Sequence, residues 1–203
     1  MDFLICGWSD GRIRAFDADN GAALWSIDHA HKAGVTSLVL SNNARFILSG
    51  GEEGDVRVWE LRSRELVSHL KEHRGRVTGL AMYGDDAHAL SCSRDRSFLC
   101  WDLRREKRMT SHTQRMGGVN ALALSRDESN VFTVGQEKRL TRWDLRDPLP
   151  IEQRPLGKSD DDDDDEAVCV AVSNTGHVVA TAGSSMLLKL FDARPGNNHR
   201  SVR

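Results

Sequence analysis

Residues 73–104 read HRGRVTGLAMYGDDAHALSCSRDRSFLCWDLR, and the sequence on either side is built from variants of the same string. Trp59, Trp101 and Trp143 are 42 residues apart, as are Val35, Val77 and Val119, and as are Ser49, Ser91 and Thr133. A further copy at 48 residues puts Thr181 and Phe191 in the hydroxyl and tryptophan columns, and Phe16 lies 43 residues before Trp59. A period of about 40–45 residues holding four short strands predicts a propeller blade. Within the central copy, VTGLAM, ALSCS and FLCW are short runs rich in β-formers, separated by the turn-like YGDD and SRDR. No stretch sustains a helical period. The expected fold is therefore all-β, with about five blades, the first and last of them incomplete.

Four residues recur in a set: a His before the first strand, a Ser or Thr on the second, an acid in the next tight turn, and a Trp-Asp ending the third. The set resembles the WD-repeat family, in which these side chains form a hydrogen-bonded chain inside the blade. The resemblance assigns that chain here to His73, Ser91, Asp95 and Trp101, and, with one substitution, to His31, Ser49, Glu53 and Trp59. Its physical sense is that imidazole donates to a carboxylate and accepts from a hydroxyl, while a buried indole N–H needs an acceptor. In later copies the His column becomes Arg115 and then Asp163, and the turn acid becomes Glu137 and then Ser185. Those blades are expected to be held more by packing than by the polar chain.

The blades are expected at about 1–28, 29–70, 71–112, 113–158 and 166–194, with an acidic loop insert at 159–166 and a basic tail at 195–203. Known propellers have about 4–8 blades and close. The chain starts inside one blade and stops inside another, so it is expected to form part of a seven- or eight-bladed ring, or to be completed by a partner that covers its open edges.

Composition fits an ordinary folded chain, with 39% hydrophobic and 29% charged residues. Cys6, Cys92, Cys100 and Cys169 fall in expected strands without CxxC spacing, which reads as reduced, buried thiols in an intracellular protein. The start, MDFLICGWSD, has too short an apolar run and too early an acid for a signal peptide, and no run is long enough to span a bilayer as a helix. No membrane partner is expected.

The run of six aspartates at 160–165, followed by Glu166, is expected to be a solvated loop between blades. Its functional alternatives are contact with a basic partner or with calcium, and the absence of a glycine among its acids argues against calcium. With these seven acids the formal charge is −2; without them it would be +5. Arg94, Arg96, Arg104, Arg105, Lys107 and Arg108 crowd into fifteen residues and suggest a basic patch facing an acidic protein surface or, less favourably, nucleic acid. Only 6% of the residues are aromatic and most hold strand positions, leaving few for base stacking.

No GxSxG, GxxxxGK[ST] or HExxH occurs. His69 and His73 are four apart in a strand-to-loop region, where that spacing does not place two rings on one face. His, Ser and Asp occur together as in a hydrolase triad, but a set capped by a buried Trp reads as structural. No enzyme activity, cofactor or metal is expected.

Over residues 7–104, and most clearly in AHKAGVT, SGGEEGDVRVWE and LKEHRGRV, the sequence is similar to cilia- and flagella-associated WD-repeat proteins. That resemblance implies a scaffold of the axoneme, bound to doublet microtubules and touching tubulin and other inner-microtubule proteins. A second reading rests on an arginine three residues after each Trp or Phe of the repeat column, at Arg62, Arg104, Arg146 and Arg194. The WDxR boxes resemble those of cullin-RING ubiquitin-ligase substrate receptors, which would make a ligase adaptor the partner. The plainer explanation is that a long cation ends each third strand and shields its edge.

Overall fold

The computed structural model of the chain describes residues 2–157, 166–184 and 186–194. These form eighteen strands in five antiparallel sheets and no helix. The first sheet holds β1 (Phe3–Gly7), β2 (Ile13–Asp17) and β3 (Ala23–Ile27). The second holds β4 (Val35–Leu40), β5 (Phe46–Gly51), β6 (Val56–Glu60) and β7 (Leu66–Leu70). The third holds β8 (Val77–Met82), β9 (His88–Ser93), β10 (Ser97–Asp102) and β11 (Lys107–Thr113). The fourth holds β12 (Val119–Leu124), β13 (Asn130–Gly135), β14 (Arg139–Asp144) and β15 (Pro150–Pro155). The fifth holds β16 (Ala167–Val172), β17 (Val178–Gly183) and β18 (Leu188–Asp192).

Strands in each sheet follow chain order, as consecutive hairpins. Successive sheets meet through their innermost strands: β4 lies beside β8, β8 beside β12, and β12 beside β16. Middle strands such as β9 and β13 are buried on both faces, because a sheet packs on either side. The apolar core is therefore divided among the spaces between sheets. Trp59 fills one with Ile13 and Ile27 of the preceding sheet. Trp101 does the same with Val56 and Leu70, and Trp143 with Phe98, whose ring it meets edge-on at 5.2 Å. Phe191 takes the equivalent slot against Phe132 and Leu140. The tryptophan column is thus the glue between neighbours, and truncating one to alanine would cost about 3–5 kcal/mol.

Each sheet also breaks register at fixed places. Between first and second strands, one residue of the first strand is skipped by the ladder: Thr36, Thr78, Asn120 and Val168. Between the last strand of each of the first four sheets and its neighbour, the skipped residue lies on the last strand: Leu24, Val67, Met109 and Ile151. Such bulges release a side chain from the alternation of a regular strand and re-aim it.

Two expectations are corrected here. Cys92 and Cys100 are buried, but Cys6 and Cys169 are exposed. β1 and β16 each pack one face against a neighbouring sheet, and side chains on the other face meet none among the described residues. The basic cluster is not one patch. Arg94 and Arg96 lie in the turn before β10, whereas Arg104 and Arg105 lie in the turn after it and Lys107 and Arg108 open β11. A six-residue strand separates the two groups by about 17 Å.

Candidate functional site

The repeated polar set comes together in the second and third sheets. In the third, Trp101 Nε1 donates to Ser91 Oγ at 2.8 Å, Ser91 Oγ lies 2.7 Å from His73 Nε2, and His73 Nδ1 lies 3.0 Å from Asp95 Oδ2. One assignment satisfies every proton: indole N–H to hydroxyl oxygen, hydroxyl O–H to Nε2, and Nδ1–H to carboxylate. It requires a neutral imidazole. Asp95 also accepts from Ser97 Oγ at 2.6 Å and from the Arg74 backbone N–H at 2.9 Å, which fastens the incoming loop. Burial alone would raise the Asp95 pKa, but the hydrogen bonds from His73, Ser97 and Arg74 outweigh it and hold the carboxyl well below its ordinary value.

The second sheet repeats the arrangement with a longer acid. His31 Nδ1 lies 2.8 Å from Glu53 Oε1, His31 Nε2 lies 2.8 Å from Ser49 Oγ, and Trp59 Nε1 donates to Ser49 at 2.9 Å. Burial lowers the His31 pKa, and the bond to Glu53 offsets only part of that. Both serines are fully enclosed. Their hydroxyls face the indole and the imidazole, so the triad-like composition offers no nucleophile to a solute.

In the fourth sheet the chain is cut short. Trp143 Nε1 still donates to Thr133 Oγ1 at 2.8 Å, but Arg115, in the His column, is exposed. Glu137 keeps the loop-fastening role by accepting from the Met116 N–H at 2.6 Å, while Gln114 and Gln136 hold Gly117 and Gly118. In the fifth sheet Thr181 and Phe191 are buried, and Phe191 has no N–H to donate. Asp163, Ser185, the aspartates at 160–165 and the tail at 195–203 lie outside the described residues. Glu166 is described, and for this residue alone the expectation of a solvated run is corrected: its carboxylate accepts from Asn120 Nδ2 at 2.7 Å and lies 3.6 Å from Arg94 Nη1.

That contact belongs to a feature the sequence reading missed. Thr36 Oγ1 donates to the Val77 carbonyl of the next sheet at 2.5 Å, Thr78 Oγ1 to Val119 at 2.7 Å, and Asn120 Nδ2 to Ala167 at 2.8 Å. These are the inner bulge residues. Freed from the ladder, each turns a polar group onto its neighbour's backbone. A second set of ties runs between turns at the far ends of the inner strands. Asp86 accepts from the backbone N–H groups of Asn42 and Asn43, Glu128 accepts from Gly84 N–H, and Arg126 donates to the Asn174 carbonyl. The signal was a polar residue directly after each member of the valine column.

His69 stands apart from His73, with its Nε2 2.6 Å from Asp55 Oδ2 and beside Arg57. Among the described residues no group of His, Cys, Asp and Glu has the arrangement of a metal site. The four column arginines are exposed but not equivalent. Arg146 and Arg194 are forked onto their own strand-ending acids, Asp144 and Asp192, whereas Arg62 and Arg104 have no carboxylate within ion-pair reach among the described residues.

The pattern described as WD domain, G-beta repeat matches residues 23–60 and 64–102, which contain both complete polar chains. The chain carries WD repeats. Among curated proteins, the chain is 42% identical over 72 residues to cilia- and flagella-associated protein 52 of Mus musculus and 34% identical over 72 residues to that of Chlamydomonas reinhardtii. Each match covers 34% of this chain and 12% of the relative's length. A weaker match, 25% over 71 residues, covers 35% of this chain and 17% of the WD repeat-containing protein 55 homolog of Dictyostelium discoideum.

Proposed function

We propose that this chain is a non-catalytic protein-interaction scaffold of motile cilia and flagella. In this reading its five sheets, at about 1–28, 29–70, 71–112, 113–158 and 166–194, are consecutive blades of a seven- or eight-bladed propeller. The ring binds axonemal doublet microtubules and contacts tubulin and other inner-microtubule proteins. The observation that carries the reading is the 42% identity over 72 residues to a mammalian protein named for cilia and flagella, with an algal relative matching over the same length. The polar residues support a structural role: His31, Ser49, Glu53 and Trp59, like His73, Ser91, Asp95 and Trp101, are engaged with one another. A rigid frame of tied sheets presenting loops suits a scaffold that transfers no chemical group.

The test is to follow the protein with an antibody against residues 31–60 in salt-washed axonemes and soluble extract of ciliated source cells. Retention in the washed axonemes, with decoration along the doublets in immuno-electron microscopy, is expected. A protein found wholly in the soluble extract would overturn the proposal.

A further inference from the structure

The outer-strand bulges expose the same kind of side chain in each of the first four sheets. Leu24, Val67, Met109 and Ile151 are spaced 43, 42 and 42 residues apart, and each is the residue the ladder skips. They are 41%, 50%, 54% and 53% exposed. A residue released from the ladder on an outer strand has no core to fill; Leu66, beside Val67, is exposed as well, while Arg108 beside Met109 and Glu152 beside Ile151 are charged. An isolated exposed aliphatic residue would be unremarkable. Four large ones at one registered position place an apolar knob on the outer edge of successive sheets, at the kind of site where bulges re-aim side chains.

Two of these knobs stand among cations. Ser68 Oγ, next to Val67, donates to Glu106 Oε2 at 3.1 Å, so the turn that carries Arg104 and leads into Lys107 of β11 lies against β7 beside Val67. Met109 follows on β11, two residues beyond Lys107. Arg62 and Arg64 occupy the turn that leads into β7. Among the described residues Arg62, Arg64, Arg104 and Lys107 are all exposed, and none has a carboxylate within ion-pair reach.

We infer that the outer edge of the second and third sheets docks a polypeptide segment bearing both apolar and acidic side chains. Its apolar groups cover Val67 and Met109, and its carboxylates meet the guanidinium and ammonium groups around them. The inference rests on the reading of the chain as a protein scaffold and names the chemistry of one partner.

The test uses the full chain and a fluorescein-labelled synthetic peptide alternating glutamate and leucine, with binding followed by anisotropy. Saturable binding is expected. It should weaken about tenfold in the double variant Val67→Ser/Met109→Ser, by loss of apolar contact, and at least as much in Arg104→Glu/Lys107→Glu. Both variants should keep the native indole N–H spectrum, since all four side chains are exposed. Absence of saturable binding, equal binding of a glutamine–leucine peptide, or binding untouched by either variant would overturn the inference. Equally tight binding to phosphatidylserine vesicles, lost in the same variants, would overturn it in favour of a lipid surface. Peptide binding is read on purified protein, so a soluble rather than axonemal location would defeat the ciliary proposal and leave this result standing.

Discussion

Replacing Ser91 by alanine removes one oxygen and strands two partners. The hydroxyl accepts from Trp101 Nε1 at 2.8 Å and donates to His73 Nε2 at 2.7 Å, at a position with no solvent access. An unpaired buried polar group costs about 1–3 kcal/mol, so the variant should lose roughly 3 kcal/mol, or about 6–12 °C in thermal midpoint for a chain of this size. Thr133→Val in the fourth sheet provides the internal comparison. There only the Trp143 N–H is stranded, and a loss of about 1–2 kcal/mol is expected. Ser91→Thr, which keeps a hydroxyl as the equivalent Thr133 does, should retain most of the stability. Urea midpoints give the energies, and hydrogen exchange of the indole N–H signals locates the effect. A loss in Ser91→Ala no larger than in Thr133→Val, or a Trp101 indole hydrogen as protected as before, would refute the assignment of the hydroxyl as the shared hinge of the chain.

Stability should fall as pH drops below about 6.5, because His31 and His112 are both held by burial below the ordinary histidine value and the unfolded chain takes up protons first. Below about 4 the loss should steepen as Asp95, depressed in the folded protein, is protonated more readily in the unfolded chain. His112, stacked on Phe98 at 4.6 Å, can be tested by His112→Phe, which should flatten the segment between pH 6.5 and 5 in urea-midpoint measurements. Gly50→Ala should cost at least about 2 kcal/mol, because a methyl there would meet Val77 Cβ of the next sheet at 2.8 Å; a midpoint within experimental scatter of the native chain would contradict the close approach. Alkylation followed by mass spectrometry should modify Cys6 and Cys169 rapidly in the folded protein and spare Cys92 and Cys100, since burial pushes the Cys92 thiol up to about 12 and raises that of Cys100.

Much of the fold was legible because the repeat writes it several times. Columns of Val, Ser or Thr, and Trp at constant spacing mark the first, second and third strands, and the described strands fall on them. The polar chain was legible for the same reason, since each member is a distinctive residue type. What escaped was geometry that depends on which sheet lies beside which. Nothing local distinguishes Cys6 from Cys92, yet one faces solvent and the other Val119, because burial comes from a neighbouring sheet. The basic cluster misled in the opposite way: closeness in sequence became separation in space once β10 ran between its halves. The bulges were hidden because a skipped residue leaves the hydrophobic pattern almost unchanged and alters only register. Glu166 was counted with the aspartates before it by charge, although the Asn120 amide gives it a fixed place.

The ties between sheets imply a mechanical unit. β4, β8 and β12 are each fastened to the next inner strand by a side chain at the bulge and by hydrogen bonds between turns at the other end, so the second to fifth sheets are pinned pairwise at two separated points. Two pins resist rotation as well as sliding, and a single one would act as a pivot. Under tension along the chain, the second to fourth sheets would resist until both pins of one interface yield and would then release that sheet's contour length at once. The force–extension record of such a molecule is expected to be a sawtooth whose tooth spacing follows the 42-residue period of the sequence.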